Sequence, residues 1–296
     1  MTYALQHAPN HCLWPSHFPE WLARAPRETS EDAAFSSGAA LALLDLVATN
    51  PSLPQAVWRA RLALAAAAHA AALSGRSERD LALRDIQCLL RPGEQPGPAG
   101  EIVLAWGRAI RRPLSVPTLQ RALPNLSAAQ LELWQRGATG HPVAQAALGI
   151  EAILTEAPRD IVTALILADA ALARAMGWSH LIPLLGIGLA RRDLKLRGDD
   201  LRLACHKALV RAVGDALPLS ADLTRRAARL SAVVPKLRSK QAAAAVELLL
   251  SRDALAPAEL SALMSDRAAR RFCDRLVALG GARELTGRDT FRLYGL

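Results

Sequence analysis

SDRAARRFCDRLVALGGARELTGRDTFRLYGL, residues 265–296, changes its period halfway along. In the first half Ala269, Phe272, Leu276 and Leu279 recur at helical spacing, and Ser265-Asp266 stands where a helix would be capped. Arg267, Arg270, Arg271, Asp274 and Arg275 fall largely off that apolar stripe, so they belong to the outer face. Gly280-Gly281 ends the helix with residues suited to positive φ. Beyond them the period becomes two: Arg283-Glu284-Leu285 and Thr290-Phe291-Arg292-Leu293-Tyr294 flank Thr286-Gly287-Arg288-Asp289, which predicts a short β-hairpin.

Upstream, the spacing predicts a helix over Ser239–Leu250 and a second over Pro257–Met264. Two helices, a third with exposed arginines and a closing hairpin make a winged helix in outline. Such a module would place its third helix in a major groove and Arg288 and Arg292 on the wing near phosphates. The charge agrees. The chain carries a formal net charge of +9, and residues 220–296 hold 14 Lys/Arg against 8 Asp/Glu. A basic surface of this kind attracts phosphate. The third helix has no Asn or Gln of the kind that reads adenine, so its arginines are expected to contact backbone. The expected DNA contacts are Arg267, Arg270, Arg271, Arg275, Arg288 and Arg292. A winged helix used for protein–protein contact, or an arginine-rich face that is simply solvated, are the alternatives.

The rest of the chain reads as all-α. Of 296 residues, 51% are hydrophobic and only 4% aromatic. The core must therefore be aliphatic, and Leu, Ala and Arg are good helix formers. Residues 1–30 are rich in Pro, His and Trp and read as an arm packing through Trp14, Phe18 and Trp21. Residues 31–220 read as a helical domain. Its helices are expected from Ser30 to before Asn50, over Pro54–Leu73 and Ser77–Leu90, through Trp106 to Ile110, and at 127–137, 142–155, 160–176, 180–191 and 199–216. Arg91 to Gly100, with three prolines and three glycines, is expected to be a rigid loop. Residues 221–296 form the last unit, a linker helix followed by the winged-helix-like module. No fixed-period repeat supports a solenoid.

Several function classes find no support. Cys12, Cys88, Cys205 and Cys273 are far apart, and no C-x-x-C is present, so neither a zinc site nor a redox pair is expected. His7, His11, Cys12 and His17 match no metal-site spacing. The glycine-rich Arg91–Gly100 lacks the Gly-Lys-Ser/Thr ending of a phosphate loop. The first 21 residues lack a basic n-region and an apolar h-region, and the longest apolar stretch, Leu62–Leu73, is too short to span a bilayer. A cytoplasmic protein without cofactor or metal is expected. Among catalytic candidates, His69 lies in an Ala-rich helix, and Cys205 and His206 point about 100° apart on one helix. His141 and His180 are further candidate groups, and Asp193, Asp199 and Asp200 surround a charged loop with Arg191 and Arg192 that reads as a solvated helix junction. No catalytic residue is assigned.

Ser265 to Leu276, Arg283 to Arg288 and Phe291 to Leu296 together resemble the C-terminus of an uncharacterised bacterial domain-of-unknown-function family often carried on plasmids and mobile elements. Leu83-Arg84-Asp85, Arg91-Pro92-Gly93 and Pro96-Gly97-Pro98-Ala99-Gly100 resemble its central motif, and Gly177-Trp178 with Leu181-Ile182-Pro183-Leu184-Leu185 another. The resemblance covers nearly the whole chain and implies no chemistry. A weaker one is to Fic-like proteins with a C-terminal helix-turn-helix. Such enzymes need a histidine followed by a glycine-rich turn and an arginine. Here His141-Pro142 is followed by Val143-Ala144-Gln145-Ala146, so the resemblance implies a relative without transferase activity. The reading that follows is a non-enzymatic DNA-binding regulatory or plasmid-maintenance protein, with a homodimer through the helical domain as a further expectation. A helical adaptor protein is the alternative.

Overall fold

A computed structural model describes residues 14–136, 140–237 and 240–296. The chain is mostly helical. Its α-helices are α1 (Glu20–Ala23), α2 (Ser30–Ala48), α3 (Gln55–Leu73), α4 (Asp80–Leu89), α5 (Gly97–Arg111), α6 (Val116–Ala122), α7 (Ala128–Arg136), α8 (Pro142–Glu156), α9 (Ile161–Ala175), α10 (Leu185–Gly188), α11 (Gly198–Val233), α12 (Ala242–Ser251) and α13 (Asp266–Ala278). The strands β1 (Arg283–Glu284) and β2 (Tyr294–Gly295) pair antiparallel, with Arg283 opposite Gly295 and Glu284 opposite Tyr294.

The Ala-rich α3 lies at the centre, against α4, α5, α9, α10, α11 and α12. Ala66, Ala67, Ala70 and Ala71 are fully buried. Small side chains let neighbouring backbones come close, and the approach is tight. A Cβ on Gly186 would lie 2.5 Å from the Trp106 ring and 3.2 Å from Ala66 Cβ. A Cβ on Gly188 would lie 2.4 Å from the Ala208 carbonyl oxygen, so α10 presses directly onto the α11 backbone. At 1.5 Å per residue the 36-residue α11 is about 54 Å long. It packs on α2, α3, α8 and α10 and reaches α12.

Where the sequence and the fold differ, the reasons are local. Thr29, not Ser30, caps α2, its Oγ1 accepting from the Asp32 N–H at 3.1 Å. The expected loop Arg91–Gly100 is shorter, because Gly97-Pro98-Ala99-Gly100 forms the first turn of α5, where a proline's missing donor costs nothing. The expected helix over 180–191 is only α10. Asp169, fully buried, instead accepts from the N–H groups of Leu184 (3.1 Å), Leu185 (2.8 Å) and Gly186 (3.0 Å), fixing an irregular turn there. The 199–216 helix continues to Val233, carrying Pro218 within it, so a division at 220/221 falls inside one helix. In the N-terminal segment Leu22 is buried and Phe18 packs on Gly214, but the short α1 turns Trp21 outward, 5.8 Å from the exposed Phe35 ring.

The C-terminal elements share the body's core. Leu249, Leu255, Leu260, Phe272, Leu276, Tyr294 and Leu296 join the same apolar cluster as Leu62, Trp106 and Leu209. Pro257–Met264 gives only a 3-10 turn, Pro257–Leu260, rather than a full helix. The expected second hairpin strand over 290–294 contributes only its last residue, since the ladder starts at Tyr294. Tyr294 also bridges Leu255 on its other side, with N–H···O distances of 2.9 and 2.8 Å.

Candidate nucleic-acid interface

Helix α13 is strongly two-faced. Ala269, Phe272, Cys273 and Leu276 are buried, whereas Arg267, Arg270, Arg271, Asp274 and Arg275 are exposed. Arg267, Arg271 and Arg275 follow one another at four-residue steps and so form one stripe, about 6 Å between successive residues along the axis. None of the three has an ion pair or hydrogen bond from its side chain to a described residue. Arg270 pairs with Asp266 one turn back at 3.0 Å, with both side chains open to solvent. Exposed pairs of this kind are weak and easily exchanged for another anion.

The hairpin residues are held differently. Arg288, expected as a free wing arginine, donates from Nη1 to Asp85 Oδ2 at 2.6 Å and from Nη2 to Asp85 Oδ1 at 2.8 Å. Its Nε and Nη2 also reach the Phe291 carbonyl at 3.2 and 2.8 Å. Arg292 donates to the Arg288 carbonyl at 2.9 Å and to Asp289 at 3.2 Å, and lies 4.0 Å from Asp274 of α13. Both guanidinium groups are therefore tied within the chain and set the hairpin's shape. Burial works against ionisation of Glu284, yet hydrogen bonds from Thr286 and Gly287 hold its carboxyl below the usual range and close the turn. At the hairpin's far end Phe291 is 67% exposed and has φ +54°, a left-handed conformation rare for a side chain of that size.

A buried ionic joint anchors this unit to the helical body. Asp253, just after α12, is 6% exposed and lies between Arg61 of α3 and Arg84 of α4, with Arg84 Nε at 2.7 Å. Arg61 also donates to the Leu296 backbone oxygen at 3.1 Å. The motif Leu83-Arg84-Asp85 thereby gains a structural account. Leu83 is fully buried, Arg84 holds Asp253, and Asp85 holds Arg288. Sequence reasoning singled out the motif but had no signal for its partners. It also left out Arg283, which is exposed on β1 and has no ion pair to a described residue.

Three of the histidine candidates, His141, His206 and His69, are engaged within the fold. His141 Nδ1 accepts from the Ala144 N–H at 3.3 Å and so caps α8, while its ring stacks on His206 at 5.5 Å. His206 Nδ1 lies 2.6 Å from Ser37 Oγ in a buried site, where burial and the neighbouring His141 and Arg202 push it down to about 4. Ser37 is 1% exposed and also reaches the Ala34 carbonyl at 3.0 Å. His69 Nε2 is bound to the Leu189 carbonyl at 2.6 Å. Burial pushes the Cys88 thiol up to about 12, and Cys205 is raised still further, so neither supplies a thiolate near neutral pH. Among the described residues no group of three or more His, Cys, Asp or Glu side chains could hold a metal ion. His7, His11 and Cys12 lie outside the described residues. No described helix is long and apolar enough to cross a membrane.

No curated protein matches the chain. A family model does, over residues 10–296, which take in the α4 joint, the arginine stripe of α13 and the hairpin alike. The chain accordingly belongs to the family described as protein of unknown function (DUF1403).

Proposed function

We propose that residues 242–296 form a winged-helix module and that α13 binds DNA through its arginine stripe. The element order supports the reading. A helix (α12), a bridging residue (Leu255), a short turn (Pro257–Leu260), a second full helix (α13) and the β1–β2 hairpin follow one another, with Leu255 added to the sheet beside Tyr294. The observation that carries the proposal is the set of three guanidinium groups, Arg267, Arg271 and Arg275, on an exposed helix face with no ion pair to a described residue. Phosphate is the anion such a row meets on a duplex, and the contacts position the helix without reading sequence. Arg270 joins them by leaving Asp266. Arg288 and Arg292 act indirectly, by fixing the wing.

In this reading the protein is a non-enzymatic regulatory or plasmid- and mobile-element-maintenance factor of the cytoplasm, with the helical body available for dimerisation. The Fic-like resemblance is read as that of a relative without transferase activity, since Val143-Ala144-Gln145-Ala146 stands where the glycine-rich turn would follow His141. A gel shift with duplex DNA at several salt concentrations tests the proposal. A retarded band that fades as salt rises is expected. Absence of any shift at low salt overturns it and favours the adaptor reading, for which the exposed Trp21–Phe35 pair is the supporting observation.

A further inference from the structure

Between the helical body and the C-terminal unit lies a cleft of about 530 Å³. One wall is made by α3, α4 and α5, which contribute Arg59, Gln87 and Arg111. The other is made by Ser251–Ala254 and Glu259. The volume is in the range of small-ligand sites.

The charges in this cleft do not cancel. Asp253 is occupied by Arg61 and Arg84. Glu259 is occupied by Arg252 and by the Ala256 N–H, the latter at 3.0 Å. Both acidic groups of the cleft are therefore matched by cations of their own. Arg59 and Arg111 are not: neither has a hydrogen bond or ion pair to a described residue. Arg59 is the more telling. It is half-buried, and its Nε is cut off from solvent with no hydrogen-bond partner among the described residues. Burial without a counter-charge also lowers its affinity for the proton. A guanidinium whose Nε is shielded from water and unsatisfied is costly, and an oxyanion is the ordinary group to satisfy it. The Cys88 thiol, which also lines the cleft, stays neutral and does not oppose an anion. Arg59 also borders a smaller cavity near His180, where Asp45 is taken up by Trp178 Nε1 at 2.8 Å and gives it no pair.

We infer that this cleft is a binding site for a small phosphate-bearing ligand, held by Arg59 and Arg111 with Gln87 as a further hydrogen-bonding group. Because the two walls come from the body and from the C-terminal unit, a bound ligand contacts both and holds them together. The site is separate from the α13 face and does not depend on the DNA reading.

Titration calorimetry on the full chain with inorganic pyrophosphate, against sodium chloride of matched ionic strength, tests it. Saturable one-to-one binding is expected, weakened about tenfold or more by Arg59→Gln and by Arg111→Gln, and unchanged by Arg191→Gln on an exposed surface. Arg59→Gln is expected to leave the melting temperature of the free protein unchanged or raised, since it removes a half-buried charge that has no partner among the described residues. A variant with Arg267, Arg271 and Arg275 replaced by Ala is expected to retain pyrophosphate binding. Three results overturn the assignment: no saturable binding by the natural chain up to about 10 mM, equal affinity in Arg59→Gln, or loss of binding in the α13 variant instead.

Discussion

Arg288 and Asp85 form a two-pronged ion pair across 203 residues of sequence, at 2.6 and 2.8 Å, and this pair fastens the tip of the C-terminal hairpin to α4. Parallel N–H···O bonds of this kind fix orientation as well as distance. The hairpin is thus held in place before any partner arrives. Replacing either residue with Ala is expected to leave the melting temperature nearly unchanged, because the pair is partly open to water. Hydrogen exchange at the Leu285 amide, bonded to the Leu293 carbonyl at 2.8 Å, is expected to accelerate. Unaltered exchange there would mean the hairpin is held by its ladder alone.

Asp253 is more consequential for stability. It is 6% exposed and faces two guanidinium groups that are themselves mostly buried. Asp253→Ala leaves both without a counter-charge. Losses from breaking such buried pairs run to about 3–5 kcal/mol. Denaturant unfolding is expected to show a loss of that order, and a loss below about 1 kcal/mol would mean that water replaces the carboxylate.

Two glycines separate backbone contact from mere helix propensity. Gly188→Ala drives a methyl group into the Ala208 carbonyl of α11 and is expected to cost about 1–3 kcal/mol. Gly38, exposed on α2 with open space around it, gains from the same change by about 0.5–1 kcal/mol. Thermal unfolding of the two variants should shift in opposite directions, and a common direction would contradict the packing described for α10.

How much of this was legible beforehand depends on the kind of signal. Long helices such as α3 and α9 are legible from helix-forming composition, being apolar almost all round, whereas α4 and α5 show a clear period. The two faces of α13 were also readable, because Ala269, Phe272 and Leu276 repeat at helical spacing. The α10 region misled, since Leu181–Leu189 is apolar throughout and its conformation is set by Asp169, a residue on another element. Partners such as Arg84–Asp253 and Arg288–Asp85 leave no periodic trace. Charged residues look alike in a sequence whether they meet solvent or each other. The arginines of α13 and those of the hairpin are therefore grouped together in the sequence, although only Arg267, Arg271 and Arg275 of that group lack an ion pair to a described residue.

Asp169 gives a pH prediction. Burial raises its carboxyl to about 7 from an ordinary value of 3.8, while the N–H groups of Gly186, Leu185 and Leu184 pull the other way. With the native value above the unfolded one, the native state holds an extra proton between about pH 4 and 7. This group's contribution to stability is therefore largest below that interval and declines as pH rises through it. Comparing Asp169→Asn with the natural chain across this range isolates the effect. The difference between them is expected to change over the interval and to level off above about pH 7. A difference constant with pH would show that the three N–H donors keep the carboxylate ionised throughout.

The stripe on α13 is tested most directly by the salt dependence of duplex binding, measured by fluorescence anisotropy for the natural chain and for a variant with Arg267, Arg271 and Arg275 replaced by Ala. Each phosphate contact contributes about 0.9 to the slope of log affinity against log salt. The slope is expected to become shallower by about 2–3 in the variant, with weaker binding on every sequence tried. Equal slopes and equal affinities in the two proteins would contradict the assignment of DNA to this face.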